Sequence, residues 1–376
     1  MKILIAGDLV PTEKNKELFI DGDLISLMGN DLFSIWENTE FKICNLETPI
    51  SDEAEPIEKK GPNLKASMNT INGIKKLAPN LIVLANNHIL DQGVKGLDST
   101  IKALRDNNIE FIGAGKNIYD ASKPYIIENK GLKIGIYSCA EHEFSIATKE
   151  TPGANLFDPL ESLDHIQKLK KECDYVFVLY HGGKEHYRYP SPYLQKVSRK
   201  IVEKGADLVV CQHSHCIGAY ENYNNSTIIY GQGNFIFNKH DNEYWNNSIL
   251  IDVNIQDSMK VDFIPIVTTG KGIRLANVEE KRDILMNFFK RSEEILEEGF
   301  IEKKYNEFAR KSIDNYLRKL FGFGKWKSRI DRKLFGGFLL RKKSNKENLL
   351  AIQNYIECEA HRELLLKGIK ARRNDL

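Results

Sequence analysis

The sequence predicts an α/β fold with two β-sheets and an appended helical C-terminal region, on three observations. Up to about residue 275, short runs of Val, Ile and Leu bounded by Gly, Asn or His alternate with amphipathic stretches. From Ile228 to Thr269 the strand-like runs follow one another through turn residues with no helix between them, as hairpins finishing a second sheet would. From about Asn277 the strand signal stops, and long charged side chains at helical spacing take over.

The elements follow in chain order. KILIAG, FKICNLE, LIVLANNH, EFIGAG, KIGIYSC, YVFVLYHGG and ADLVVCQHSH read as strands buried on both faces. GLDSTIKALRDNN and SPYLQKVSRKIVEKG read as the helices that cover them. STIIYGQGNFIF, SILIDVNI and VDFIPIVTT are the late strands. The helical region is broken at GFGKWK and LFGGFLL, where glycines interrupt the periodicity. Residues 1–275 are thus expected to form the α/β domain and 276–376 a basic helical region.

A chain of 376 residues with 41% hydrophobic content can bury a proper core. Its net charge of +2 conceals an asymmetry: residues 303–346 carry fifteen Lys or Arg against three Asp or Glu, a balance of +12 that leaves −10 for the rest. No charged leader precedes a long apolar stretch, and no run approaches the ~18 apolar residues of a spanning helix, so a cytoplasmic protein is expected. The six cysteines contain no C-x-x-C pair and read as reduced thiols, at least three of them inside strand runs.

Chemistry is concentrated at strand ends. His88, His181, His213 and His215 each follow an apolar run, as do Asp8 in AGDLV and Glu47 in NLETP. The carboxyl ends of strands in an α/β sheet are where loops converge on ligands. Imidazole, carboxylate and the Asn87 amide oxygen together suit Zn, Mn or Fe, and carboxylate-rich sites also accept Mg. His-x-His off a strand end puts His213 and His215 on one face, because strand side chains alternate with a period of two.

Taken in order, GDLVP (7–11), NLETPI (45–50), ANNHILDQG (85–93), GAG (113–115), YHGGKEHYRYPSP (180–192), GADLVVCQHSH (205–215) and IIYGQGNFIF (228–237) resemble the bacterial capsule-synthesis CapA family. That family lies within the calcineurin-like metallophosphatase superfamily and is associated with capsule or poly-γ-glutamate production. The resemblance spans roughly residues 1–275 and implies a four-layer α/β/β/α sandwich. It also implies one or two divalent metal ions, with Glu47 as the bridging carboxylate, Asn87, His181 and His213 on one metal, and Asp8 and His215 on the other. His88 would then be general acid or transition-state stabiliser, oriented by Asp91. The superfamily's usual histidine two residues after the first aspartate is Val10 here, so the second metal is a ligand short.

Around this set, Glu185 and Arg188 in the loop after HGG are expected to border the pocket and contact an anionic substrate, Arg188 through its guanidinium fork. Asn234, after two glycines, is expected where backbone approaches a ligand. His142, His165, His240 and His361 read as solvated or core-packed. Residues 316–343 interleave basic with aromatic and aliphatic side chains, as a segment lying on an anionic membrane would, and no motif points to nucleic acid. Two functions remain: a metal-dependent hydrolase or transferase acting on a phosphoester or anionic polymer in capsule, exopolysaccharide or poly-γ-glutamate synthesis, or a non-catalytic metal-binding assembly factor for a membrane-associated synthase.

Overall fold

A computed structural model describes residues 1–239 and 241–375, so His240 lies outside the described residues. The strands are, in chain order, β1 (Lys2–Leu9), β2 (Phe41–Leu46), β3 (Leu81–Val83), β4 (Phe111–Ile112), β5 (Ala114–Gly115), β6 (Tyr125–Asn129), β7 (Leu132–Ala140), β8 (Gly153–Ala154), β9 (Tyr175–His181), β10 (Leu208–Gln212), β11 (Tyr220–Tyr223), β12 (Ser226–Ile229), β13 (Asn247–Ile255), β14 (Met259–Thr268) and β15 (Ile273–Leu275). One sheet runs β15-β14-β13-β1-β2-β3-β4 and a second β11-β12-β10-β9-β7-β6. In the first, β1 to β4 are parallel; in the second, β7, β9, β10 and β12 are.

Side-chain alternation along these strands builds the layers. Ile3 and Ile5 of β1 face Phe177 and Leu179 of β9 and Leu208 and Val210 of β10 in the core between the sheets. Leu4 and Ala6 point the other way, into a core with Phe19, Trp36, Leu77, Leu97 and Leu104. On the opposite flank Val176, Val178 and Val209 pack against Ile166, Leu169, Val197 and Ile201 of the helices Ser162–Glu172 and Pro192–Glu203. The order is α/β/β/α, and a helical C-terminal region follows in the chain.

Two expectations change. The late strands do not all finish the second sheet: β12 joins it beside β10, but the β13–β14 hairpin returns to the first sheet and pairs antiparallel with β1. Ile249, Ile251 and Val253 bury on the β1 side of the inter-sheet core, and alternation within a hairpin does not encode which sheet edge it completes. The chain also divides at a different place, into Met1–Glu302 and Lys303–Leu376 rather than at 275/276. The reason is the helix Val278–Glu294, whose Phe288 packs on Tyr220 and Phe263 and whose Ser292 hydroxyl accepts from the Tyr220 amide. The remaining helices, from Lys303 onward, form the second unit. No described helix is long and apolar enough to cross a membrane.

Candidate metal centre

The strand-end residues converge. Asp8 lies near the end of β1, Glu47 follows β2, Asn87 follows β3, His181 ends β9, and His213 and His215 follow β10. Glu47, His181 and His213 bring ligand atoms within 4.8 Å of one another, and so do Asp8, Glu47 and His215, so Glu47 is shared by the two groups. Asn87 joins the first: its Oδ1 is 3.0 Å from His181 Nε2, which is itself 3.2 Å from Glu47 Oε1 and 3.2 Å from His213 Nδ1. In the second, His215 Nδ1 is 3.4 Å from Asp8 Oδ2.

The donor chemistry fits a divalent cation. Glu47 is fully buried, and neither of its carboxylate oxygens has a hydrogen-bond partner among the described residues. A buried carboxylate without donors is strongly disfavoured, and lone pairs from carboxylate, amide and imidazole meeting at one point repel unless a positive charge holds them. Asn87, His181, His213 and Glu47 would hold one ion; Asp8, His215 and Glu47 would hold a second.

Electrostatics separates the two histidines after β10. Burial, then the charges of His181 and His215, push the His213 imidazole well below its ordinary value, leaving a neutral ring suited to a metal. Burial also opposes the His215 imidazolium, but the Glu47 and Asp8 carboxylates and the hydrogen bond with Asn234 outweigh it and push the group up to about 9. For Asp8, burial is outweighed by the hydrogen bond with His215 and the charges of His181 and His215, which hold the carboxyl below its usual value.

Local backbone explains the convergence, in part against expectation. β10 ends at Gln212, and His213 and His215 are not on a strand face at all: both adopt left-handed backbone, with φ of 83° and 54°. The turn aims both rings inward, their centroids 6.0 Å apart, in conformations that L residues rarely adopt and that functional sites often impose. At the neighbouring strand end, a Cβ on Gly7 would lie 2.1 Å from the Gly233 carbonyl oxygen. Only glycine there allows the bridge that sets Asn234 beside Asp8.

His88 lies outside both ligand groups, with Nδ1 2.5 Å from Asp91 Oδ2. Asp91 is fully buried, accepts the Leu64 amide at 2.6 Å, and pairs with Lys59. The long loop between β2 and the turn Met68–Thr70 thus closes over this corner, and Lys59 was not legible as part of it.

Residues 2–239 match the family described as bacterial capsule synthesis protein PGA_cap. The chain belongs to this family. It is 31% identical over 212 residues to the capsule biosynthesis protein CapA of Bacillus anthracis, covering 54% of this chain and 52% of that one. It is 29% identical over 210 residues to the PGA biosynthesis protein CapA of Bacillus subtilis (strain 168), covering 54% and 55%. The chain therefore spans about half the length of the curated relatives it matches. Among solved structures, a novel phosphatase from Mycoplasma pneumoniae aligns at 14% identity and TM-score 0.44, over 77% of this chain and 98% of that one. A putative 5'-nucleotidase from Staphylococcus aureus aligns at 13% identity and TM-score 0.45, over 76% and 58%.

In this PGA_cap chain the position of the absent histidine is apolar. Val10 is buried against Phe237 and Trp245, and Trp245 lies with its ring centroid 4.7 Å from that of His215. The wall beside Asp8 and His215 is therefore aromatic.

The flanking residues divide. Glu185 lines a cleft of about 380 Å³ above Asn87, His181 and His213, together with Glu141, Glu143, Lys184 and His142. His142, read as solvated or core-packed, is on the wall of this cleft. Asn234 serves His215, with its Oδ1 2.9 Å from His215 Nδ1. Arg188 is not on the cleft beside His181: its guanidinium donates to the carbonyls of Ile217 and Glu243 and lies over the Tyr244 ring. Of the other histidines, His165 is 3.2 Å from the Tyr137 hydroxyl and His361 packs on Tyr355.

Two further residues escaped the sequence reading. Asn45 donates to Asp8 Oδ1 at 2.7 Å and lies 3.2 Å from His181 Nδ1; Asn86 in turn donates to Asn45 Oδ1 at 3.1 Å. Such partners orient the groups that touch a metal.

Proposed function

We propose that this chain is a metal-dependent hydrolase acting on an anionic ester or related bond in capsule or poly-γ-glutamate synthesis. The observation that supports it most is Glu47, a buried carboxylate without hydrogen-bond donors that two groups of donor atoms share. A divalent ion bound there supplies Lewis acidity and lowers the pKa of a coordinated water toward neutrality.

The chain's own residues supply the rest. Asn45 and Asn86 set the inward groups of Asp8 and His181. Asp91 fixes the His88 ring through Nδ1, so that the other ring nitrogen is the one to exchange a proton with a leaving group. Lys59 and the Leu64 amide hold Asp91 in place. The carboxylates of Glu141, Glu143 and Glu185 on the cleft wall disfavour a densely charged substrate at that edge and leave Lys184 to meet a single anionic group.

The test is metal content with hydrolysis of bis(p-nitrophenyl) phosphate. A purified chain that retains no divalent ion after loading with Mn, Fe or Zn overturns the proposal. A second ion competes with the proton that the environment keeps on His215 up to about 9. Its affinity should therefore fall by about tenfold per pH unit below that value, with a proton released on binding. The affinity of the first ion, next to a His213 already held neutral, should depend much less on pH.

The reading as a non-catalytic assembly factor draws on Val10, which puts packing where a ligand is expected. It shares with the hydrolase reading a proposed contact with membrane through residues 316–343. There Trp326 is 76% and Leu334 76% exposed, with Leu320, Phe335 and Phe338 also exposed among Lys and Arg. Within this unit Arg318 and Asp331 form a buried pair at 2.5 Å that ties the helices Phe300–Leu320 and Lys325–Leu334 together. The chain of residues 1–376 should co-sediment with phosphatidylglycerol vesicles and be released by salt, since each basic residue near such a surface contributes about 1 kcal/mol. A chain ending at Glu302 should stay in the supernatant; equal sedimentation of both would remove the contact.

A further inference from the structure

We propose that the cleft formed by Arg188, Arg291 and the loop at Ile217 is a binding site for one oxyanion, a carboxylate or phosphate group, separate from the metal centre. The cleft has a volume of about 290 Å³ and shares no lining residue with the one above His181 and His213. Arg188 comes from the loop after β9, and Arg291 from the helix Val278–Glu294.

Two guanidiniums are brought onto the same carbonyl. Arg188 Nη1 and Arg291 Nη2 each donate to Ile217 O at 3.3 Å. Their other bonds go to Glu243 O at 3.1 Å and Gly218 O at 2.7 Å, so all three acceptors are neutral. Elsewhere the chain treats its partly buried arginines differently: Arg199, Arg274 and Arg318 each pair with a carboxylate. The nearby acids are otherwise engaged, Glu294 by the Tyr189 hydroxyl at 2.6 Å and Asp283, on the exposed rim, by Arg282 at 3.2 Å. Burial and then the charge of Arg188 push Arg291 down to about 10, the direction expected of two like charges confined together.

Guanidiniums that spend only part of their donors on carbonyls keep N–H groups for a further acceptor, and their fork matches the two oxygens of a carboxylate or phosphate. An oxyanion between them relieves their mutual repulsion. The site has a route to the metal centre, because Arg188 also holds Glu243 O and covers Tyr244, next to the Trp245 that packs on His215. Arg291 lies beyond the segment matched to the family, so the site is assembled from a family loop and a helix outside that match. It does not depend on whether the metal centre hydrolyses anything.

Calorimetric titration of the full chain with inorganic phosphate and, separately, glutarate tests this, after chelator treatment and desalting so that no bound metal takes up the anion. Saturable binding at one site is expected, tighter for phosphate if the natural group is a phosphate and tighter for glutarate if it is a carboxylate. R291Q should weaken it by about tenfold or more, the weight of a charge-assisted pair. Asn287 is exposed on the cleft rim, so N287D tests the same site without touching the core and should also weaken binding. Absence of saturable binding, or binding unchanged in a folded N287D and a folded R291Q, overturns the proposal.

Discussion

Glu47→Gln should abolish retention of divalent metal and with it hydrolysis, while leaving the metal-free chain as stable as the parent or more so. The two halves of this result come from one observation. The Glu47 carboxylate is fully buried with no hydrogen-bond donor on either oxygen among the described residues, so in the metal-free chain its desolvation is offset only by the charge of the neighbouring His215 imidazolium, and an amide of the same shape removes the larger part of that penalty. With a cation it is the one carboxylate common to both ligand groups, and its loss cuts each of them. Outer partners of metal ligands are already worth ~10–100-fold in affinity, so a shared ligand should exceed about a hundredfold. Thermal melts with and without added Mn read both effects at once: the parent should gain stability on loading, and Glu47→Gln should not. A variant that still gains the parent's full increment would show that the ions bind elsewhere, and the proposed centre would be lost.

The parts of this site visible in the sequence share one property: each is a polar residue directly after an apolar run, so its place at a strand end follows from local pattern alone. Asp8, Glu47, Asn87 and His181 belong here, and the parallel strands bring them together because helices return each strand in the same direction. What the sequence concealed depends on distant partners. Asn45 looks like one more residue in FKICNLE, and only the neighbouring β1 makes it the donor to Asp8. Arg188 follows HGG closely enough to suggest the same pocket, but the turn of that loop carries it to Ile217 and Arg291. His213 and His215 reach the candidate centre by a route other than the expected one, through left-handed turns instead of a strand face. The β13–β14 hairpin was legible as a hairpin, but not which sheet it would complete, because its alternation is satisfied by either edge.

His88→Ala should lower kcat on bis(p-nitrophenyl) phosphate by ~10²–10⁴-fold, the usual weight of a positioned acid or base, and leave metal content unchanged. The separation is possible because His88 belongs to neither ligand group, although Asn87 beside it approaches His181. Its ring is fixed by a carboxylate that is itself held at three points, by His88, the Leu64 amide and Lys59. Asp91→Asn keeps the shape but removes the charge that orients the ring, so it should lower kcat by ~10–100-fold, as loss of an orienting partner does, with little change in KM. A graded loss at constant metal content, larger for His88 than for Asp91, is the signature of proton transfer by the ring. Equal activity of His88→Ala and the parent, with metal retained, would instead leave a metal-binding chain whose polar corner is architectural, and the assembly reading that Val10 supports would then be the one to keep.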